Sequence, residues 1–132
     1  MVDAAVSAFH FFQNKFGPPA SLKTVISPIP GYLGQGFPGL VYAPTMSYLR
    51  PGDAPFDAMS EFHKMFYLKI LPAHEIAHQW WGNIVAVESP SDVWIVEALA
   101  TYSALLLLEN HGDSEVFNKV LATYKELLLE PD

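Results

Sequence analysis

Two histidines four residues apart, in His74-Glu75-Ile76-Ala77-His78, are the residues of this chain best placed to do chemistry. On an α-helix, residues i and i+4 lie one above the other on the same face. His74 and His78 can therefore aim two imidazole nitrogens at one point, as two of the protein ligands of a catalytic metal ion must. Glu75 lies about 100° further round such a helix, within reach of a water at that point but badly placed to be a ligand itself. Eighteen residues separate His78 from Glu97, which follows the apolar run Val93-Trp94-Ile95-Val96. A carboxylate there, on the next helix, completes a two-His, one-Glu set and leaves a fourth position open for water. That open position separates a catalytic zinc site from a structural one. The expectation is a metallohydrolase centre holding one Zn²⁺ per chain. His74, His78 and Glu97 are its ligands, and Glu75 is the general base that takes a proton and later delivers it to the leaving group. The plainer alternative is two hydrogen-bonded helix histidines with a solvated Glu between them.

The elements that must position these side chains are legible in outline. Apolar residues at Val6, Phe9, Phe12 and Phe16 predict a helix over Asp3–Phe16, ended by Gly17-Pro18-Pro19. Leu22–Ile29 and Leu40–Ala43 read as strands, with a glycine-rich loop over Pro30–Pro38 between them. Asp57–Trp81 is helical in pattern but contains Pro72, which predicts a kink or break near Ile70–Leu71. Ser89 or Ser91 can cap the next helix, which runs to about Asn110, and Asp113 or Ser114 can cap a last helix to about Leu129. The order predicts an α+β fold: a small β-sheet packed on helices, as a single domain spanning residues 1–132. Trp80, Trp81 and Trp94 are expected in the core. His10, His63 and His111 show no ligand spacing. Asp92 and Thr101 are candidates to orient the metal histidines from behind.

At the residues His74 to Asn83 (His-Glu-Ile-Ala-His-Gln-Trp-Trp-Gly-Asn), with Glu97 beyond and Ala100-Thr101-Tyr102 after it, the chain resembles the gluzincin aminopeptidase family. That family includes alanyl and leucyl aminopeptidases and leukotriene A4 hydrolase. Phe11-Phe12 and Phe16-Gly17 are similar to the helix that opens its catalytic domain, and Gly39-Leu40-Val41-Tyr42 to the strand beside its substrate cleft. The resemblance implies the metal-carrying half of a thermolysin-like zincin catalytic domain. It also implies peptide hydrolysis by attack of a zinc-bound water. The partners would be a peptide substrate and the remaining domains of a longer parent protein.

Three departures matter. Aminopeptidases of the family carry Gly-x-Met-Glu-Asn before the cleft strand, and its Glu holds the substrate's amino terminus. Here the stretch is Gly34-Gln35-Gly36-Phe37-Pro38-Gly39, with no acid. Gly34, Gln35, Gly36, Phe37 and Gly39 are candidate cleft residues, since the glycines admit close backbone approach; a flexible turn accounts for them equally well. Asn-Glu-Gly around the third ligand is Val96-Glu97-Ala98. The family's oxyanion-stabilising tyrosine lies well beyond the third ligand, where this chain has only residues 98–132, and neither Tyr102 nor Tyr124 is assigned that role.

Composition bounds the reading. The 132 residues are 51% hydrophobic, enough for a core, and contain no cysteine, so a metal must sit on His and carboxylate. A net charge of −7 with no basic cluster argues against nucleic acid. Thr24–Leu49 is uncharged but broken by prolines and glycines, so no membrane segment is expected there, and Leu105–Leu108 is too short to span. Two other functions fit the same residues: a related zinc hydrolase acting on a non-peptide bond, or a non-catalytic scaffold that keeps the fold. An intact Glu75 speaks against the scaffold.

Overall fold

The computed structural model describes residues 1–129; residues 130–132, the end of the expected 1–132 domain, lie outside the described residues. Helix α1 spans Val2–Phe16 and closes at Gly17, whose φ of 87° is a backbone conformation that glycine adopts at no steric cost. Strands β1 (Val25–Ile29), β2 (Gln35–Phe37) and β3 (Leu40–Pro44) form one sheet in the order β1-β3-β2. β1 runs parallel to β3, and β2 antiparallel to it with Gln35 opposite Tyr42 and Phe37 opposite Leu40. After a 3₁₀ turn at Thr45–Tyr48 come short helices α2 (Ala54–Asp57) and α3 (Glu61–Met65), a π-helical turn at Phe66–Ile70, then α4 (Leu71–Ala77). Helices α5 (Val93–Asn110) and α6 (Ser114–Leu129) complete the α+β architecture.

Three expectations are corrected. The Pro30–Pro38 stretch is not all loop: Gln35–Phe37 forms β2, because β3 offers it a partner edge that no local pattern announces. The helix expected over Asp57–Trp81 is interrupted at Ala58–Ser60 and ends at Ala77. Ser60 caps the restart, its hydroxyl accepting from the His63 amide. The disturbance expected near Ile70–Leu71 takes the form of the π-helical turn, directly ahead of Pro72, which has no N–H to continue a regular ladder. Trp94, expected in the core, is 68% exposed. Helix α5 is apolar around its whole circumference, so its pattern could not say which face turns inward.

Helix α4 is held between α1 and α5, with β3 and β2 against it. Small residues line this packing: Ala5 and Ala8 on α1, Ala73 and Ala77 on α4, Ala100 and Ala104 on α5, all buried. Alanines spaced three or four apart on one helix face let neighbouring helices approach closely. Around them Phe12 stacks on Phe16 and meets Trp80 edge-on, at ring separations of 5.6 and 5.9 Å. Trp80 Nε1 donates to the Gly17 carbonyl at 3.0 Å, fastening the end of α1 to the turn after α4. Truncating fully buried Phe12 to Ala is expected to destabilise the fold by about 3–5 kcal/mol, read from urea unfolding midpoints. A cost under about 1 kcal/mol would mean that α1 is not integral to the core that carries α4. By length and composition α5 is apolar enough to cross a membrane. Here it is packed on α4, α1 and α6.

Candidate metal centre

The i, i+4 geometry of α4 places His74 and His78 side by side, their Nε2 atoms 3.2 Å apart. His78 occupies the position just past the last helical residue, where its backbone is still helical, so the spacing survives the end of α4. Helix α5 crosses α4 and brings Glu97 to the same point. Its Oε2 lies 3.2 Å from His74 Nε2 and its Oε1 3.6 Å from His78 Nε2. The sequence expectation that these three side chains converge is met in the geometry, and all three donor atoms lie within 4.8 Å of one another.

The hydrogen bonds behind the rings decide what faces forward. His78 Nδ1 sits 2.9 Å from the Trp81 carbonyl, which can only accept, so Nδ1 carries the proton and Nε2 presents a lone pair. His74 Nδ1 is 3.1 Å from Thr101 Oγ1, a hydroxyl that can accept from it or donate to it. Thr101 thus lies behind His74 where an orienting partner was expected, whereas Asp92 stands at the N-cap of α5 without a side-chain cap hydrogen bond. With Thr101 accepting from His74, two imidazole lone pairs and a carboxylate converge without a donor; with Thr101 donating, His74 Nε2 carries a proton toward Glu97. Electron-rich groups at 3.2–3.6 Å repel unless a cation lies between them, and this donor chemistry fits a borderline metal that takes nitrogen and oxygen.

Glu75 is placed apart from this set. It is 4% exposed, and its Oε2 is buried without a hydrogen-bond partner among the described residues. Burial, with a smaller contribution from the Glu97 charge, pushes its carboxyl up to about 8. Burial also lowers His74 to about 4, reinforced by His78 and opposed by Glu97. A neutral imidazole is the metal-binding form, and a cation among the donors would draw Glu75 back toward its ionised form. The histidine side chains are 16% and 10% exposed, but that of Glu97 is 50% exposed, so the centre is open on its α5 side.

The candidate cleft residues lie where they touch this site. Strand β2 runs across the end of α4 so closely that a Cβ on Gly36 would sit 2.6 Å from His78 Cβ, and one on Gly34 would overlap the Glu75 carboxylate. Gly39, at φ 73°, forms the β2–β3 turn with Pro38. Gln35 and Phe37 are on the exposed edge strand. Gln79 was missed from the sequence: it is fully buried between this hairpin and α4. His10 and His111 are exposed and His63 bonds Ser60, all outside the cluster.

A pair of histidines on one helix and a carboxylate on the next, beside a small sheet, make a group of two imidazoles and one carboxylate that could hold a metal ion. Residues 54–130 match the Peptidase family M1 domain, and the chain belongs to that family. It is similar to endoplasmic reticulum aminopeptidase 1 of Homo sapiens, 31% identical over 103 residues, which cover 76% of this chain and 10% of the relative. It is similar also to endoplasmic reticulum aminopeptidase 2 of Bos taurus, 32% identical over 111 residues, 81% of this chain and 11% of the relative. A leucyl aminopeptidase of Saccharolobus solfataricus is 39% identical over 46 residues, 35% of this chain and 6% of the relative. The chain spans about a tenth of the length of the first two of these curated relatives. No solved structure matches it at a significant level.

Proposed function

We propose that this chain is the metal-carrying part of a zinc-dependent peptidase, with His74, His78 and Glu97 as the zinc ligands and Glu75 as the general base. The observation that carries this reading is the convergence of two imidazole Nε2 atoms and a carboxylate within 4.8 Å of one another. Membership of a peptidase family and the aminopeptidase names of its relatives support the bond type. Zinc supplies Lewis acidity in such sites, bringing the pKa of a water down to about 7. Glu75 accepts the proton at its unpartnered Oε2 and passes it to the leaving amine. Trp81, and Thr101 when it accepts, hold the imidazoles in the tautomer that leaves Nε2 free. The free edge of β2, from Gln35 to Phe37, offers main-chain groups to an extended peptide, with Gly34 and Gly39 bounding that wall. The peptide substrate and the remaining domains of a longer protein are the partners in this reading, which the small share of each relative covered supports.

Metal analysis combined with a peptide-hydrolysis assay on the native full-length protein tests the proposal. Stoichiometric zinc with hydrolysis supports it. Zinc without peptide hydrolysis would favour a related hydrolase of a non-peptide bond, and absence of metal affinity a scaffold.

The specificity reading rests on Gly36. Residues 34–39 contain no acid, and a Cβ at Gly36 would lie 2.6 Å from His78 Cβ, which supports a strand that does not anchor a charged amino terminus. The expected result is weaker discrimination between free and N-acetylated peptides than the relatives named aminopeptidases show, measured as a ratio of kcat/KM values. A strong preference for free amino termini would place the anchor in another part of the protein.

A further inference from the structure

Gln79 directly follows the second histidine and is fully buried, an unusual place for an amide with no chemistry of its own. Burying an amide is costly unless it is hydrogen-bonded, and here both ends of it are. Its Oε1 accepts from the Gly39 amide at 2.8 Å, and its Nε2 donates to the Phe37 carbonyl at 2.8 Å. These are the main-chain groups flanking Pro38 in the turn between β2 and β3. The Gln79 amide donates to the Ile76 carbonyl of α4 at 2.9 Å and its carbonyl accepts from the Ala20 amide at 3.1 Å, so residue 79 is held at α4's end. The side chain therefore clips the hairpin turn to the metal-bearing segment.

The segment leading into β2 is held as well. Tyr67, in the π-helical turn ahead of α4, donates its hydroxyl to the Tyr32 carbonyl at 3.4 Å. Between these two attachments the chain passes over Glu75. Gly34 is in contact with the carboxylate itself, where any Cβ would overlap it, and a Cβ at Gly36 would lie 2.8 Å from the Glu75 carbonyl oxygen. The Glu75 carboxylate thus has the bare Gly34 backbone as one wall.

We infer that Gln79 is a positioning residue for Glu75: by clamping the Phe37–Gly39 turn it seats Gly34 against the carboxylate and fixes the direction in which that carboxylate points. The inference rests on the reading of Glu75 as general base. A reacting group displaced by about 1 Å by a remote change can lose a factor of about 10² in rate, which sets the size of effect to look for.

Gln79→Met keeps the length and burial of the side chain and removes both hydrogen bonds. Expected are faster hydrogen exchange at the Gly39 amide in the labelled chain, by about tenfold or more, and zinc affinity within about threefold of the unaltered chain. In the native full-length protein, kcat should fall by about 10- to 100-fold with KM within about threefold. Gly34→Ala probes the same contact from the other side. It should lower kcat similarly while leaving Gly39 as protected as before, and it reads the positioning even if Gln79→Met fails to fold. Unchanged exchange at Gly39 in Gln79→Met would remove the clamp. Unchanged kcat in either folded variant would remove the positioning, and a zinc affinity lowered more than tenfold in both would place the effect on the ligands. Should Glu75→Gln itself retain turnover, the assignment of the base fails, whereas loss of turnover in Glu75→Gln with none in Gln79→Met sinks this inference alone.

Discussion

Glu75→Gln is expected to keep the metal and abolish turnover, whereas His78→Ala should lose both. The two residues are three apart and both buried, so a general disturbance of the region would affect them alike. The geometry separates them. His78 presents its Nε2 to the centre, 3.2 Å from that of His74, and removing it leaves one imidazole and a half-exposed carboxylate. Catalytic zinc sites use three protein ligands, and two do not enclose the ion. Glu75 lies outside the donor set, with its Oε2 unpartnered. Glutamine has the same shape, keeps the burial and the contact with Gly34, and lacks only the ability to take a proton. General acid–base catalysis contributes a factor of about 10²–10⁴, so the variant's rate should fall at least that far at full zinc occupancy. Zinc content by metal analysis, beside peptide hydrolysis in the native full-length protein, measures both quantities. Equal loss of metal from the two variants would make Glu75 a ligand or a structural residue.

What the sequence disclosed follows from which interactions are local. The pairing of His74 with His78 is a property of one helix turn, and Glu97 could be joined to them by its spacing on the next helix. Thr101 was within reach of the same reasoning, four residues on from Glu97 along α5 and therefore on the same face. Strand β2 was not, since Gln35–Phe37 is extended only because β3 pairs with it, and a Gly36 between polar and aromatic neighbours reads as loop by itself. The exposure of Trp94 was hidden for another reason: apolar residues lie on every side of α5, so their pattern carries no directional signal. Gln79 was invisible because its importance lies in two main-chain groups about forty residues away, and a lone glutamine has no spacing to recognise. Local chemistry was therefore legible, and contacts between distant segments were not.

That division also governs what the 132 residues should do by themselves. The isolated chain is expected to bind zinc yet turn over peptides far more slowly than the native full-length protein. All three donors lie between residues 74 and 97, and the helices that aim them are packed on α1 and the sheet within this chain. Metal binding needs nothing more. Catalysis needs a donor for the developing oxyanion and a cleft that excludes water, and resemblance to the family puts that donor on a later helical part. The α5 flank agrees, since the Glu97 side chain is half exposed, as is Tyr102, on the same helix as the exposed Trp94. Charges in a site open to water are stabilised less by fixed dipoles than charges in a closed one. Losing one oxyanion donor costs a factor of about 10²–10³, and an unwalled cleft loses substrate positioning on top of it. Assays matched at equal zinc occupancy measure the difference. Turnover by residues 1–132 at the rate of the native protein would mean that Tyr102, Tyr124 or another group in this chain stabilises the oxyanion, and that the open α5 flank is the working form of the site.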